Sequence, residues 1–195
     1  MSPITHFLVS WAVAGVSGLG RRERAAIALA GIAPDLDGLG IVPELLTRGS
    51  THPLPWFSEY HHVLGHNLGF AIVVTIAGFL FARAQRWKTA LLVLLSFHLH
   101  LLGDLIGARG PDGFQWPIPY LLPFSHRLDI IWHGQWALNA WPNFVITGIG
   151  LIIMFVIARN RGYSPLEIIS KRADATFVSA VRNRFPLTAS GTATT

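Results

Sequence analysis

The residues best suited to chemistry are histidines and aspartates that interrupt apolar segments. Residues 97–107 (FHLHLLGDLIG) carry His98, His100 and Asp104 in a stretch that otherwise reads as membrane-spanning. Residues four apart lie on one face of a helix, so His100 and Asp104 can face a common target, whereas His98 lies about 200° away from His100. Ionisable side chains at membrane depth are costly and indicate a functional site. The alternative interpretation is a helix end at which Asp104 reaches water.

Two carboxylates occur close together in the sequence GIAPDLDGLG, where Asp35 and Asp37 follow Pro34. Proline argues against a continuous helix at this point, because it lacks a backbone N–H. In an extended or turning backbone, residues two apart face the same way, so both carboxylates can serve one centre. In a helix they would diverge by about 200°. Taken alone, this motif is typical of a polar turn that ends a membrane span.

Three histidines lie in EYHHVLGHNLG, and two of them, His62 and His66, have the four-residue spacing of zinc-binding helices. The segment lacks the glutamate of the HExxH motif, which disfavours a metalloprotease. His61 and His66 would point apart in a regular helix, so spacing alone favours His62, and a pair of His61 and His66 requires His61 to precede the helix. Imidazole and carboxylate are ligands of zinc and manganese, and a chain without cysteine must hold such a metal with these groups.

The composition indicates an all-α, polytopic integral membrane protein. Hydrophobic residues make up 51% of the 195 residues and charged residues only 13%, against about a quarter in soluble domains. A span needs about 20 mainly apolar residues, and five candidate segments are present: 4–19, 25–42, 64–82, 89–106 and 140–158. We predict one membrane-embedded catalytic domain over residues 1–163. Residues 164–195 form a basic cytoplasmic tail with a short surface helix and a disordered Thr/Ala/Ser/Gly end.

The basic residues predict the orientation of the chain. If all five segments cross the membrane, twelve of the fifteen Lys and Arg residues fall on one side. The positive-inside rule makes that side cytoplasmic, with the N-terminus outside and the C-terminus inside. This topology also accounts for the net charge of +5 without a nucleic-acid partner. The histidines and aspartates of the motifs collect at the opposite, non-cytoplasmic face, where four helix ends can form one polar pocket.

Residues 110–141 carry four tryptophans and form a predicted interfacial loop, since tryptophan favours the headgroup level of a membrane. The alternative is a lid over the polar pocket, in which four side chains would contact an anionic headgroup: His126, Arg127, Asp129 and His133.

The order of the motifs resembles a known family. THF near the start, then APDLD, HHVLGH and HLLGD, followed by a glycine and Trp-Pro, resembles the YdjM-like inner-membrane proteins, which are described as predicted metal-dependent hydrolases. That family is distantly similar to zinc-dependent phospholipase C. The resemblance implies that Gly113, Trp116 and Pro117 form the loop after the last ligand helix. It also implies seven metal ligands: His6, Asp35, Asp37, His61, His66, His100 and Asp104.

The chain departs from the family pattern at two positions. Gly65 and Asn67 flank the histidine that the family usually places between threonine and serine, and His62 stands where an arginine is usual. These departures leave open whether His61 or His62 is the ligand.

Together, the resemblance and the ligand types predict a membrane-bound hydrolase that uses one to three divalent ions, zinc or manganese. Its expected substrate is a phosphoester or phosphodiester, in a lipid, at the outer membrane–water interface. His62 and His98 are candidates for a general acid or base. The alternative is a non-enzymatic protein that binds or transports divalent metal. Transport needs polar groups along the whole depth of the bundle. Because the cytoplasmic halves of the five segments look apolar, the pattern favours a site that opens to one side of the membrane.

Overall fold

The computed structural model describes residues 1–110 and 113–187 of the chain. This described part is mostly α-helical, which confirms the helical fold predicted from the sequence. It also contains two 3-10 helices, Pro34–Gly40 and Pro165–Ile168, and the short antiparallel strands β1 (Ile118–Pro119) and β2 (Asp129–Ile130). The α-helices are α1 (Pro3–Val16), α2 (Arg21–Ala30), α3 (Ile41–Thr47), α4 (Trp56–Tyr60), α5 (Leu68–Phe81), α6 (Arg86–Gly107), α7 (Trp141–Arg161) and α8 (Lys171–Arg184).

The long helices form a bundle in which α1 packs against α2, α6 and α7, while α5 packs against α6 and α2. One buried apolar cluster includes Trp11, Ile27 and Val93, and a second is built around Phe97. Gly15 permits a close approach of α1 and α7, because a Cβ atom there would lie 2.4 Å from the Ile157 side chain. The α6 helix contributes to both clusters and thereby forms the centre of the bundle.

The second apolar segment, residues 25–42, is broken rather than continuous. Helix α2 ends at Ala30, and the 3-10 helix that begins at Pro34 leads into α3 at an angle of 55° to α2. Proline has no N–H for the helix ladder and disfavours the α conformation in the residue before it. The break places Asp35 and Asp37 on a tight 3-10 turn at one end of the bundle.

Two helices of the described part, α6 and α7, are long and apolar enough to cross a membrane, and the bent pair of α2 and α3 would be a third span. Helices α1 and α5 are apolar but have 14 residues each. At 1.5 Å per residue they are about 21 Å long, against about 30 Å for the hydrocarbon core of a bilayer. The arrangement with five spans therefore stays a prediction.

One end of the bundle collects basic residues from several helix termini. Arg22 at the start of α2 donates a hydrogen bond to the carbonyl of Phe81 at the end of α5. Lys88 at the start of α6 donates to the carbonyl of Ser17 after α1, with 2.7 Å between Nζ and O. The C-terminal ends of α1 and α5 thus meet the N-terminal ends of α2 and α6, so α1 and α5 run antiparallel to α2 and α6.

The basic tail folds onto this same end. The guanidinium of Arg24 forms two hydrogen bonds to the buried carboxylate of Glu167, at 2.7 and 2.6 Å, and Arg182 of α8 donates to the carbonyl of Arg159. Helix α8 corresponds to the surface helix predicted in the tail. The predicted disorder of the Thr/Ala/Ser/Gly end falls on residues 188–195, which lie outside the described residues.

The long loop between α6 and α7 covers the opposite end of the bundle. The carbonyls of Tyr120 and Leu122 accept hydrogen bonds from the first backbone N–H groups of α5. Trp136 donates its backbone N–H to the carbonyl of Ile106, and the amide of Asn143 donates to the carbonyl of Gly107. The loop and the first turn of α7 therefore satisfy free backbone groups at the N-terminal end of α5 and the C-terminal end of α6.

Candidate metal centre

Four side chains converge at the end of the bundle that lies away from the basic residues. Asp35, His66, His100 and Asp104 each offer one donor atom, and these atoms all lie within 4.8 Å of one another. Asp35 comes from the 3-10 turn, His66 from the link before α5, and the other two from the C-terminal half of α6. As the four-residue spacing predicts, His100 and Asp104 share one face of α6, with 3.0 Å between Nε2 and Oδ2.

The two histidines of this group both point Nε2 toward the same space. His100 Nδ1 lies 2.8 Å from the carbonyl oxygen of Gly31, and His66 Nδ1 lies 3.1 Å from a carboxylate oxygen of Asp37. An acceptor at Nδ1 holds the proton there and leaves the lone pair on Nε2 for a metal. The two Nε2 atoms are 3.1 Å apart. Two nitrogens bound to one tetrahedral zinc at about 2.0–2.1 Å would lie about 3.3 Å apart.

The two carboxylates complete a donor set that fits a cation. One oxygen of Asp104 contacts His100, at 3.0 Å, and His66, at 3.4 Å. Asp35 places Oδ1 3.7 Å from His100 Nε2, and its Oδ2 is buried with no hydrogen-bond partner in the described part of the chain. A buried carboxylate oxygen without a partner is costly. A bound divalent ion would remove that cost.

His6 joins this group through Asp104 rather than as one of the four donors. Its Nε2 lies 3.0 Å from Asp104 Oδ1, which the amino group of Met1 also contacts. The ring of His6 stacks on the ring of His100, with 3.8 Å between centroids. Gly103 makes room for it, because a Cβ atom there would lie 2.9 Å from the His6 ring.

Asp37 lies behind His66, on the far side from the four donor atoms. Its Oδ1 is 2.8 Å from His61 Nδ1, and its Oδ2 accepts the backbone N–H of Gly65 at 2.9 Å as well as the His66 contact. The backbone at Gly65 lies close to the carbonyl of Pro34. A Cβ atom at this position would lie 2.2 Å from the carbonyl oxygen, so the contact requires glycine. A carboxylate on the second nitrogen of a ligand histidine orients the ring. Asp37 thus contacts the nitrogen of His66 that does not face the donor group, and His61 contacts the other oxygen of Asp37.

The histidine link differs from the helix suggested by the spacing of His62 and His66. Helix α4 ends at Tyr60 and α5 begins at Leu68, so the link between them is not helical. His62 has a φ of 67°, in the left-handed region, and this breaks the helix before His66. Asn67 then starts α5 by accepting a hydrogen bond from a first-turn N–H.

His62 is not one of the four donors but stacks on the ring of one of them, His66. Its ring lies parallel to that of His66, with 4.1 Å between centroids, and 5.1 Å from the ring of Trp116. Its Nδ1 is buried without a hydrogen-bond partner among the described residues. Burial, and next the neighbouring His66, lower the pKa of His62 to about 2, so the imidazole is neutral at ordinary pH.

The structure does not bring His98 into the group. Its Nδ1 lies 2.8 Å from the carbonyl oxygen of Leu94, and its Nε2 lies 2.9 Å from the hydroxyl of Tyr120. Both ring nitrogens are therefore engaged elsewhere. The reason is the helix period, which turns His98 about 200° away from His100. The arrangement offers no contact for the acid or base role suggested from the sequence.

Two contacts of the site have no signal in the sequence. The carbonyl of Gly31 fixes His100, and a backbone carbonyl leaves no trace in residue type. Gln135 of the long loop is buried and donates to the backbone carbonyl of Asp104 at 2.7 Å, while its own Oε1 has no partner in the described part. By contrast, the residues suggested for a lid are solvent-exposed: His126, Arg127, Asp129 and His133.

Together, the fold and the site define a class: a helical membrane protein with a buried group of imidazoles and carboxylates that could hold a metal ion. Within that class the chain belongs to the YdjM inner membrane protein family, whose model matches residues 1–177. The match therefore runs past the histidine and aspartate motifs into α8 and agrees with an inner-membrane location. No curated protein and no solved structure shows a significant match to this chain.

Proposed function

We propose that this protein is a membrane-bound hydrolase that uses a divalent metal ion, zinc or manganese, to cleave a phosphoester or phosphodiester of a lipid-like substrate. The observation that supports the proposal most is the pair of Nε2 atoms 3.1 Å apart on His66 and His100. Each of these rings has an acceptor on its other nitrogen. With Asp35 and Asp104 they form the nitrogen-and-oxygen donor set that these metals take.

Each residue of the group has a separate task. The four donors would hold the ion, and a bound ion supplies Lewis-acid activation of a water molecule and of a phosphoryl oxygen. Asp37 keeps the proton of His66 on Nδ1, and the carbonyl of Gly31 does the same for His100. His6 engages the second oxygen of Asp104 and keeps the carboxylate in place. These tasks follow from which atom each partner contacts.

Substrate would approach from the side of Asp35 and His61. Their side chains are 18% and 15% exposed, whereas those of His66 and His100 are fully buried. His62 lies on this side, stacked between His66 and Trp116, and its free Nδ1 can accept a hydrogen bond from a water molecule. A neutral imidazole placed in this way would orient the attacking water by accepting a hydrogen bond from it.

We place this site at the non-cytoplasmic face of the inner membrane. The basic residues meet at the opposite end of the bundle, where Arg22 and Lys88 contact the ends of α5 and α1. The positive-inside rule assigns that end to the cytoplasm. The helix termini that carry the donors then lie at the outer membrane–water interface, where a lipid headgroup is available.

Binding or transport of the metal without catalysis is the second candidate, and one observation favours it. Ser10 and Ser96 lie one helical turn deeper than His6 and His100, and their hydroxyls are buried without partners among the described residues. These two hydroxyls continue the line of polar side chains from the donor group into the interior of the bundle, as a transport path would require. Farther inward, Ala14 and Val93 are apolar and fully or almost fully buried. A transport path needs polar groups at every depth, so the hydrolase remains our first choice.

Metal analysis combined with a hydrolysis assay tests the proposal. The purified full chain in detergent is analysed for zinc and manganese and then assayed with bis(4-nitrophenyl) phosphate and with phospholipid in mixed micelles. We expect His100→Ala and Asp104→Asn to lose both metal and turnover, while Leu101→Ala, a buried packing control on the same helix, keeps both. His98→Ala should keep its metal, because that ring contacts Leu94 and Tyr120.

Three outcomes separate the candidates. Metal with no turnover on either substrate would favour the binding or transport function. Full metal occupancy in both His100→Ala and Asp104→Asn would show that these side chains do not bind the metal and would contradict the proposed metal centre. A loss of metal in Leu101→Ala equal to that in the ligand variants would show that the loss reflects damaged packing.

A further inference from the structure

A groove of about 690 Å³ lies between α7 and α8, at the basic end of the bundle and away from the candidate metal centre. One wall is the apolar surface of α7, where Ile152, Phe155 and Val156 are 64%, 45% and 49% exposed. Two arginines line the same groove, Arg159 of α7 and Arg184 of α8. The groove thus combines an apolar wall with two guanidinium groups.

The position of the groove along α7 places these two parts at different depths of a membrane. Helix α7 is long and apolar enough to cross a membrane, and Arg159 lies in its last turn. Ile152 lies seven residues before Arg159, which is about 10 Å at helical rise. Basic side chains at the end of a spanning helix reach the headgroup level, while side chains about 10 Å deeper lie in the hydrocarbon core. From the membrane surface inward, positive charge is followed by apolar contacts, which is the order of groups that an anionic phospholipid requires.

Acidic side chains of the protein do not neutralise the two arginines. Three of the acidic residues that the structure describes lie at this end, and all three are buried: Glu23, Glu167 and Asp174. Glu23 accepts two backbone N–H groups of the turn between α5 and α6. Glu167 binds Arg24, and Asp174 accepts hydrogen bonds from Ser164. The described lining residues of the groove include no carboxylate, so the negative charge that complements the arginines has to come from a partner.

Contacts with the end of α8 hold one of the arginines in place. Arg159 donates from Nε to the carbonyl of Phe185 at 2.9 Å and from Nη2 to the carbonyl of Pro186 at 2.7 Å. A third N–H group donates to the side chain of Asn160. A guanidinium has five N–H donors, so two are left for a ligand once the contacts within the described part of the chain are counted. Arg184 is exposed to solvent beside it.

The chain itself offers a poor occupant for the groove. Residues 188–195, which follow Leu187, have the sequence TASGTATT and include neither an acidic nor a large apolar side chain. A phospholipid with a net negative charge supplies both kinds of contact, and guanidinium groups bind phosphate well.

We propose that this groove binds an anionic phospholipid, with its phosphate at Arg159 and Arg184 and the upper part of one acyl chain on Ile152, Phe155 and Val156. The site lies at the opposite end of the bundle from the donor group, so this lipid is a ligand other than the substrate. On the orientation proposed above, it belongs to the cytoplasmic leaflet, whose anionic lipids attract basic segments. Phosphatidylcholine carries the same phosphate but neutralises it with its own ammonium group, so the net charge of the headgroup decides binding.

Photo-crosslinking in nanodiscs tests this dependence on charge. The full chain is placed in phosphatidylcholine nanodiscs that contain a small fraction of one of two probes, a phosphatidylglycerol or a phosphatidylcholine. Both probes carry the same diazirine in the upper half of one acyl chain, and labelled residues are mapped by mass spectrometry. We expect the phosphatidylglycerol to label Ile152, Phe155 and Val156 about tenfold more than the phosphatidylcholine does. Equal labelling by both probes, or an excess spread evenly over the exposed residues of α5 and α7, would overturn the proposal.

Removal of one charge separates the groove from the general attraction of a basic surface. Arg184→Gln should bring phosphatidylglycerol labelling of the groove close to that of phosphatidylcholine. Arg161→Gln removes the same charge from an exposed residue at the end of α7 that does not line the groove, and it should leave the labelling unchanged. Equal loss in both variants would show that surface charge alone attracts the lipid and would overturn the proposal. Arg159 is left in place because its contacts hold the end of α8.

Filling the apolar wall supplies the second arm. Val156→Trp should abolish most labelling of Ile152 and Phe155 by phosphatidylglycerol. Leu151→Trp is the matched control, because Leu151 is exposed on the same helix but does not line the groove. Both variants are first checked for a single monodisperse peak on gel filtration, and Ile152→Trp replaces Val156→Trp, with labelling then read at Phe155, if the latter fails this check. Unchanged labelling in the well-folded filled variant would overturn the proposal.

Discussion

Replacing Asp37 by asparagine tests whether this carboxylate orients a ligand or is itself a ligand. Asp37 accepts hydrogen bonds from three donors: His61 at 2.8 Å, Gly65 at 2.9 Å and His66 at 3.1 Å. An asparagine amide has one acceptor oxygen and one N–H₂ donor group. At least one of the three N–H groups would then face another donor, and the negative charge behind His66 would be lost.

The expected size of the effect follows from the position of Asp37 on the outer nitrogen of His66. Loss of such a partner lowers metal affinity about 10- to 100-fold, which corresponds to about 1.4–2.7 kcal/mol. Asp104→Asn should do more, because the Asp104 carboxylate contacts both His66 and His100 among the donors. His61→Ala should do less, because it leaves the contact between Asp37 and His66 in place.

A competition titration measures these differences. The metal-free protein in detergent is titrated with zinc against a chromophoric chelator, and Kd is compared among the variants, with Asp129→Asn as an exposed control. The expected order of affinity is wild type and control, then His61→Ala, then Asp37→Asn, then Asp104→Asn. If Asp37→Asn binds as weakly as Asp104→Asn, Asp37 holds the metal directly. If its Kd equals that of the wild type, the orienting contact has no energetic value and the reasoning is wrong.

Three further predictions concern packing, folding and topology. Gly103→Val should displace His6 and weaken zinc binding in the same titration, whereas Gly148→Val, where a side chain meets open space, should not; equal affinities would contradict the packing argument. Asn67→Ala removes the N-cap of α5 and should lower the free energy of unfolding by about 1 kcal/mol, measured by denaturant titration; an unchanged midpoint would show that the cap is dispensable. A C-terminal reporter should be cytoplasmic and one inserted after Ser50 should be outside; the same compartment for both would contradict the three crossings predicted between them and would mean that segment 25–42 or 64–82 does not cross.

The fold could be predicted where hydrophobicity decides it. Four of the five apolar segments each correspond to one helix, with ends within a few residues of those expected. The non-helical link before Leu68 could not be predicted, because the backbone of His62 adopts a left-handed conformation that its residue type does not indicate. The number of spans could not be fixed either. Composition marks α1 and α5 as apolar, but their 14 residues are set by where the turns form.

The site could be predicted where one element carries two of its groups. The spacing of His100 and Asp104 was enough to place both on one face of α6. The sequence could not show which of the other residues are donors and which contact the donors from behind. That division depends on which nitrogen of His66 faces Asp37 and which faces Asp104. The contact of Gln135 with Asp104 was equally hidden, since the loop that carries it is positioned by backbone hydrogen bonds to the end of α6.

The bend between α2 and α3 would tie the shape of this segment to the proposed metal ion. The stretch from Gly31 to Asp37 contacts both histidines of the donor group and also supplies Asp35, so straightening the 55° bend would withdraw all three contacts at once. Binding of the proposed ion and bending would then be thermodynamically linked, and each would favour the other by the same free energy. A bilayer that is thick enough to stretch this segment would compete with the ion. Ion occupancy at a fixed free-ion concentration would therefore report on membrane thickness.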